Sequence, residues 1–420
     1  MTEQPPTRLA RRLGLGDAVV IGLGSMIGAG VFAAIGPAAD AAGSGLLIGL
    51  AMAAAVAYCN ATSTAELAAV YPESGGAYVY GRQRLGPFWG HLAGWSFVVG
   101  KTAACAAMAL TVGAYAAPAW ARPIAIASVA GLTAVNYLGV RKTAALTRVI
   151  LALVLAALAL VVAGALLGGV ARVDRLDLDV DAGAMGGILR SAGILFFAFA
   201  GYARIATLGE EIDHPARTIP RAIPRALGIA LGVYAVVAVG ALAAVGPDAL
   251  ARSDAPLATV VGAGDLAALV PAVRAGGTVA ALGVLLSLIA GVSRTVFAMA
   301  ADGHLPRWLD AVHPSHAVPH RAEVAVGLLV TLLVIVADLR GAIGFSSFLV
   351  LAYYAIANSA AWTLPPEQRR WPRALAAAGL IGCTVIAFTL STAAIAAGIA
   401  VLAAGALSWA ARHRRRAQRA

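Results

Sequence analysis

Four glycines lie close together in an apolar stretch near the amino terminus, at Gly22, Gly24, Gly28 and Gly30. Glycine weakens a helix and lets the backbone turn where a side chain would clash. In lipid, an unwound backbone survives only where protein or a polar cavity pairs its freed N–H and C=O groups. The pattern therefore predicts a membrane helix broken halfway, whose loose peptide groups face a binding site of the kind that transporters use.

A single lysine lies deep inside another long apolar segment. Lys101 follows about fifteen residues of predicted helix, or roughly 22 Å of rise, which is too deep for easy snorkelling to the surface. A buried ammonium group is costly, so such a lysine can exchange a proton as a site opens and closes. Two interpretations stay open: Lys101 carries a coupling proton or replaces a bound cation, or it is a structural lysine paired with a helix end or water.

The composition excludes a soluble globular protein and favours a helical membrane protein. Of the 420 residues, 60% are hydrophobic and 12% are charged, whereas soluble domains carry about 25% charged residues. A β-barrel would need short alternating strands, which the long apolar runs contradict. At roughly 20 residues per span, the chain accommodates about twelve helices. The fold is therefore predicted to be all-α and polytopic.

The predicted helices follow the apolar runs, and the last run holds two of them. They cover 16–35, 45–70, 87–114, 123–138, 147–168, 185–208, 223–245, 276–299, 324–337, 346–364 and two segments within 374–411.

The net charge of +11 follows a membrane topology. Arginine and lysine cluster before the first predicted helix, after most even-numbered ones and at the carboxyl terminus, while the loop 174–181 on the other side is acidic. The positive-inside rule then places both termini in the cytoplasm and the protein in the cell membrane. Anionic lipid headgroups, not nucleic acid, are the expected partners of the basic residues.

Four motifs, in order along the chain, resemble those of the amino acid–polyamine–organocation (APC) superfamily of transporters. They are the Gly-Ser-Met-Ile-Gly-Ala-Gly-Val-Phe run at 24–32, the Pro-Glu-Ser-Gly-Gly-Ala-Tyr loop at 72–78, and the stretches 199–220 and 294–306. Together they cover most of 14–319.

The resemblance implies the LeuT-like fold, in which two inverted five-helix repeats are followed by two extra helices and helices 1 and 6 are broken. The corresponding division is a cytoplasmic tail at 1–15, the first repeat at 16–170, the second repeat at 185–364, two additional helices at 374–411 and a basic cytoplasmic tail at 412–420. It also implies alternating access, with helices 1, 2, 6 and 7 rocking against a scaffold.

The function implied by the resemblance is secondary active transport of an amino acid. A zwitterion needs donors for its carboxylate and acceptors for its ammonium group, and the two ends of a broken helix supply both. By resemblance, amides near Gly28 hold the carboxylate, and carbonyls of both breaks hold the ammonium. The implied substrate-binding residues are Met26, Ile27, Gly28, Ala29, Gly30, Phe197, Ala198, Ala200 and Gly201. Phe197 is either an aromatic lid over the substrate or an ordinary packing residue.

Three residues are candidates for coupling or gating: Lys101, Tyr202 and Arg204. Proton-coupled relatives often place a lysine in the fifth helix, where this chain has Val154. Arg204, close to two glutamates in sequence, is either one partner of an inner-gate ion pair or a simple interfacial arginine. Because like charges repel strongly in a low dielectric, Lys101 and Arg204 disfavour a cationic substrate and favour a neutral or acidic one. Ser287 is the one hydroxyl considered for a sodium site.

The same residues allow other interpretations. The glycines at 22–30 could serve close helix packing, or a dinucleotide-binding loop, but no strand precedes them. The histidines lie at helix ends and in loops, so an enzyme, a metal site and a cofactor are not expected. A substrate sensor would carry an output domain. The preferred prediction is a proton symporter for an amino acid, with sodium as a second candidate ion and amino acid/amine exchange as the alternative.

Overall fold

The computed structural model describes residues 13–28, 30–73, 75–139, 144–178, 183–206 and 211–417. In these ranges the chain forms helices and no strand beyond one isolated bridge between Leu13 and Ile212. The α-helices are α1 (Leu15–Met26), α2 (Gly30–Ala42), α3 (Leu46–Val70), α4 (Ala77–Leu85), α5 (Pro87–Ala116), α6 (Ala121–Tyr137), α7 (Ala144–Leu167), α8 (Ala184–Phe199), α9 (Ala203–Ala206), α10 (Pro215–Ala251), α11 (Pro256–Gly262), α12 (Val270–Ala301), α13 (His320–Val336), α14 (Leu339–Trp362), α15 (Arg373–Ala387) and α16 (Thr392–Ala417).

The prediction of an all-α, multi-pass membrane protein is confirmed. In the described part of the chain, 8 helical segments are long and apolar enough to cross a membrane. Four further apolar helices are shorter: α1 has 12 residues, α6 and α13 have 17 each, and α15 has 15. A 12-residue helix is about 18 Å long, so α1 crosses a bilayer only together with α2.

The helix that carries the four glycines is interrupted. Helix α1 ends at Met26, and α2 begins at Gly30. Between them Ile27 leaves the helical conformation with ψ 18, and Gly28 lies in a turn. Ala29, one of the predicted site residues, lies outside the described residues. The glycines therefore coincide with a real interruption of the helix.

A second interruption lies at the end of α8. This helix ends at Phe199, and a 3-10 turn, Ala200–Tyr202, leads into the single helical turn of α9. The chain beyond α9 resumes in the described residues at Glu211, shortly before α10.

Proline and glycine end the helices where the sequence places them. Helix α3 stops at Val70, and Gly76, with φ 57, precedes α4. Helix α10 is kinked at Gly246, with φ 74, immediately before Pro247. The long connection that follows holds α11 and a 3-10 turn. The last apolar run divides at residues 388–391.

Two groups of helices form the bundle. The interrupted segments pack with their neighbours, because α2 and α3 lie against α8, and α1, α2 and α3 lie against α10. Helix α5 is the central element of the second group and packs against α6, α12, α13, α14 and α16. In the most hydrophobic stretch of α5, 89% of the residues are buried inside the protein. The interrupted segments therefore belong to the first group, and the long buried helix α5 belongs to the second.

The two ends of the bundle are distinguished by their connections. One end, here called the basic end, holds residues 13–14, 71–86, 302–319 and 363–372, and there Leu13 N–H donates to the Glu211 carbonyl at 3.1 Å. The other, called the opposite end, holds residues 43–45, 117–120, 168–178, 252–255 and 337–338, and there Ser44 donates to the Asp177 carbonyl at 2.6 Å.

Candidate functional site

The two interruptions lie directly against each other. A Cβ added to Gly201 would lie 2.2 Å from the carbonyl oxygen of Ser25 and 2.8 Å from the amide nitrogen of Met26. A Cβ added to Gly30 would lie 2.7 Å from Cα of Ala198. No side chain fits at either position, since backbone atoms cannot move aside as a flexible side chain can. Four of the predicted site residues are thus brought together by backbone contact.

A tyrosine of α10 joins the two interruptions. The hydroxyl of Tyr234 lies 2.5 Å from the carbonyl oxygen of Met26 and 3.1 Å from that of Ala198. One hydroxyl proton can serve only one of these carbonyls at a time. The Met26 carbonyl, predicted to accept from a substrate ammonium group, therefore has Tyr234 as its donor in this conformation. Sequence reasoning missed Tyr234, whose only signal is a lone hydroxyl in an apolar helix.

Lys101 reaches the second interruption from α5. Its side chain is 9% exposed, and its Nζ lies 3.4 Å from the carbonyl oxygen of Ala200. The hydroxyl of Tyr354, on α14, lies 3.4 Å from the same oxygen. The carbonyl at the predicted ammonium position thus has two donors nearby, one of which is itself an ammonium group. Tyr354, like Tyr234, was not among the predicted residues.

The aromatic residues of α8 divide into packed and partly exposed ones. Phe196 and Phe199 are fully buried, and their rings pack against Tyr354 and Tyr234 at 5.7 and 5.1 Å. Phe197 lies between them in sequence and is only partly buried. It is thus the one of the three that keeps an open face, as a lid would. Tyr202 is fully buried, with its ring 5.3 Å from that of Tyr354.

Arg204 lies on α9, on the basic-end side of the site. It is partly buried and interacts electrostatically with Arg294 of α12 and with Glu211. Glu210, the other glutamate considered for an inner gate, lies outside the described residues. Ser287 donates to the Gly283 carbonyl within its own helix at 3.0 Å.

A cluster of polar side chains links α4 to the loop after α12 at the basic end. The Tyr78 hydroxyl donates to the Asp302 carboxylate and also lies 2.9 Å from Nδ1 of His304. Arg82 pairs with Asp302 at 2.9 Å. Burial, followed by the adjacent Asp302 carboxylate, raises the pKa of the Tyr78 phenol, since both disfavour a phenolate. Tyr78 therefore remains a hydrogen-bond donor.

The opposite end is held by different contacts. Asp40 of α2 pairs with Arg340 of α14 at 2.5 Å. The Tyr115 hydroxyl donates to the Phe32 carbonyl at 3.1 Å and accepts from the Leu257 amide at 3.3 Å, which links α5, α2 and α11. A small cavity of about 90 Å³ lies beside these contacts, lined in part by Ala33. Within the described ranges, no group of three His, Cys, Asp or Glu residues could hold a metal ion.

Comparison with known proteins gives a family match over most of the chain. A family model described as "Amino acid permease" matches residues 17–365. The chain is 62% identical over 404 residues to a protein named "uncharacterized transporter" in Mycobacterium tuberculosis, covering 96% of this chain and 92% of that protein. It is 25% identical over 396 residues to the branched-chain amino acid permease of Bacillus subtilis, covering 89% and 84%. It is 29% identical over 382 residues to the human cationic amino acid transporter 4, covering 84% and 60%.

Proposed function

Since this chain belongs to the amino acid permease family of the APC superfamily, we propose that it carries a neutral amino acid across the cell membrane by alternating access, coupled to a proton. The observation that carries the proposal is the contact between the two helix interruptions, with Lys101 at their side. Two interrupted membrane helices at corresponding positions of two repeats form the substrate site of many transporters.

The proposed architecture is the five-plus-five inverted repeat with two further helices. The segment from α1 to α7 supplies the first repeat and α8 to α14 the second, so that α1 and α2 correspond to α8 and α9. Counting α1 with α2 and α8 with α9 as single spans, and leaving out the short helices α4 and α11, gives twelve spans, and both termini then lie on the cytoplasmic side, at the basic end. Packing of α2 and α3 against α8, and of α1 against α10, supports a moving core built from these helices.

In the proposed site the substrate lies between the two interruptions. Amides at the start of α2, around Gly28 and Gly30, receive its carboxylate, because the first amides of a helix have no partner within the helix. The carbonyls of Met26, Phe197 and Ala200 receive its ammonium group. Tyr234 and Lys101 occupy two of these carbonyls in the present conformation. Substrate binding then requires Tyr234 and Lys101 either to move away from these carbonyls or to donate to them together with the substrate ammonium group.

Lys101 is proposed to couple transport to the proton. As an ammonium group it ties α5, a scaffold helix, to the Ala200 carbonyl of the interrupted segment. Loss of its proton removes the charge that holds this contact together. Protonation therefore controls whether the interrupted segment can move against α5. A neutral substrate is favoured over a cationic one, since a second positive charge beside Lys101 in a buried site would be repelled.

Amino acid/amine exchange is the second candidate function, and one contact favours it. The Ala200 carbonyl already accepts from the ammonium group of Lys101, so the ammonium group of an amino acid or an amine can take the same position. Symport and exchange differ in what accompanies the substrate. In proteoliposomes with an internal pH dye, symport is expected to acidify the interior during leucine uptake, whereas exchange is expected to require vesicles preloaded with an amino acid or an amine.

Transport itself is tested in the same vesicles with single amino acids. Radiolabelled leucine is expected to accumulate under an inward proton gradient, and excess isoleucine or valine to compete. Arginine should compete at least tenfold less well, because 1.4 kcal/mol of charge repulsion gives a factor of about ten. Preferential competition by arginine would contradict a neutral substrate, and empty-vesicle levels of uptake for all amino acids would contradict the proposed function.

A further inference from the structure

Glu323 is a buried carboxyl group that the proposed site does not use. It lies in the first turn of α13 and is 3% exposed. Its Oε2 is buried without a hydrogen-bond partner. Among the described residues, no ion pair includes Glu323. A carboxylate that is buried, unpaired and short of one hydrogen bond is costly, and protonation relieves that cost.

Ser293, the neighbour of this carboxyl group on α12, can accept a hydrogen bond from a protonated carboxyl group. Ser293 is fully buried and interacts with Glu323, and its hydroxyl donates to the Ile289 carbonyl at 2.8 Å. A serine hydroxyl has one proton and two lone pairs. While that proton goes to Ile289, Ser293 can only accept, so a hydrogen bond from Glu323 to Ser293 requires a protonated carboxyl group.

Other neighbours of Glu323 favour its ionised form, so that both protonation states are accessible. The start of α13 carries the positive end of a helix dipole, which favours a negative charge in its first turn. Arg294, exposed on α12, attracts the carboxylate. If Glu323 ionises, Ser293 can turn its proton from Ile289 to the carboxylate. The site therefore has a hydrogen-bonded arrangement for each protonation state.

The elements packed against α13 carry charged and titratable groups of their own. Helix α12 contributes Arg294, and α5 contributes Cys105, whose thiol interacts electrostatically with both Glu323 and Lys101. Helix α6 contributes Tyr137, whose ring packs on His320 at 6.0 Å. The 3-10 turn before α13 contributes Arg307, and α13 itself carries Arg321 beside His320. Of these groups, Cys105 therefore interacts with both Glu323 and the lysine of the proposed site.

We propose that Glu323 is a second proton-binding site of this transporter, which holds a proton on its carboxyl group on the scaffold side of Lys101 and releases it to water at the basic end. The step is simple proton binding: a proton that enters with the substrate from the opposite end converts the carboxylate to the carboxylic acid, and release of that proton to water at the basic end restores the carboxylate. This inference rests on the proposed proton coupling, and it assigns that coupling a residue on the scaffold side of the site.

The transport test compares Glu323→Gln with Glu367→Gln. Glu367 is an exposed carboxylate near the same end of the bundle, so its loss controls for a change of surface charge. Leucine uptake driven by a proton gradient and leucine counterflow without a gradient are measured for each variant. Glu323→Gln is expected to keep counterflow within about twofold of wild type and to lose at least about tenfold of the gradient-driven stimulation. Glu367→Gln should keep both.

A spectroscopic test does not depend on transport. In purified protein with carbon-13 in its glutamate carboxyl groups, the infrared carbonyl band of a protonated glutamate should titrate in the wild type and be missing in Glu323→Gln. Glu323→Asp, which keeps an unlabelled acid at this position, should lack the labelled band and recover part of the gradient response.

The outcomes separate the two proposals. Wild-type gradient stimulation in Glu323→Gln, or an unchanged infrared band in that variant, overturns the assignment of Glu323. If Glu323→Gln does not fold, the wild-type infrared titration decides alone, and a spectrum without a titrating protonated glutamate overturns the assignment. If wild-type vesicles show neither uptake nor counterflow, the proposed function fails, whatever the infrared result.

Discussion

The ammonium group of Lys101 lies 3.4 Å from the carbonyl oxygen of Ala200, so a scaffold helix and an interrupted helix meet through a titratable contact. The lysine is 9% exposed and comes from α5, the central helix of its group. A contact of this kind has two states, one with and one without the proton. In the proposed mechanism, this contact is the point at which a proton gradient acts on the position of α8 and α9.

Replacing Lys101 with Met tests this relationship directly. Methionine keeps a long apolar side chain and removes the charge, so the fold should persist while the response to protons is lost. Gradient-driven uptake is expected to fall by at least about tenfold and its pH dependence to flatten, while counterflow remains. Arg370→Met, which removes an exposed cation at the basic end, is the control. An unchanged pH profile in Lys101→Met would contradict a coupling role.

Gly201→Ala should disable the site through one methyl group. The added Cβ would meet the Ser25 carbonyl oxygen at 2.2 Å, so the two interruptions must separate. Overpacking of this kind costs about 1–3 kcal/mol, and leucine binding should be lost even where the fold survives. Gly186→Ala is the matched control, since it lies on α8 with no atom within 4 Å of the added carbon. Thermal shift with and without leucine measures both effects, and equal ligand shifts in both variants would argue against the apposition.

Tyr234→Phe should separate stability from affinity. The variant removes the donor of the Met26 carbonyl, and a buried carbonyl without its partner costs about 1–3 kcal/mol. The free protein should therefore melt at a lower temperature. The substrate ammonium group then meets a carbonyl with no competing donor, so leucine affinity should rise by up to about tenfold.

Calorimetry or competitive binding measures that affinity, and Tyr58→Phe, at a tyrosine 42% exposed, serves as the control. Lower affinity in Tyr234→Phe would show that the hydroxyl itself, and not the carbonyl, contacts the substrate.

The cluster at the basic end predicts a pH dependence with a definite sign. Because the pKa of Tyr78 is raised, the folded protein holds the phenol proton more tightly than the unfolded chain does. The stabilisation is therefore complete below the ordinary tyrosine pKa of about 10 and declines as the pH rises above it. Between pH 6 and 8, about the physiological range, the Tyr78 phenol should therefore keep its proton.

Asp302→Asn should open the basic end at any of these pH values. It removes the charged acceptor of Tyr78 and the partner of Arg82. A cysteine introduced as Ser25→Cys, at a partly buried position in α1, should then react several times faster with a maleimide than in the Asp302 background. Asp310→Asn, an exposed acid in the same loop, is the control, and equal rates in all backgrounds would contradict a closing role for Asp302.

The fold class and the positions of both interruptions were accessible from the sequence, because the signals are local. Apolar runs of about 20 residues specify membrane helices wherever they lie. The glycines at 22–30 specify where α1 ends, and the motif at 199–220 marked the second interruption. Family resemblance added the relation between the two segments; the family itself is confirmed, and the inverted repeat stays a prediction.

Side-chain contacts between helices could not be predicted from the sequence, because they join residues far apart in the chain. Tyr234 reaches Met26 across 208 positions, and although Met26 lies in the motif at 24–32, no motif marks Tyr234. Glu323 was not singled out, since it precedes an ordinary apolar run and its burial comes from α12 and α5. Val154, the position at which proton-coupled relatives often have a lysine, is buried and apolar here.

The sequence by itself determined that this chain is a helical membrane protein with an interrupted first helix, because hydropathy and glycine content act on each segment alone. Only the tertiary structure decided which backbone carbonyls already have donors and which acid lies buried beside Ser293. These features depend on how each helix is rotated about its axis and on what packs against it, and that is a property of the whole bundle.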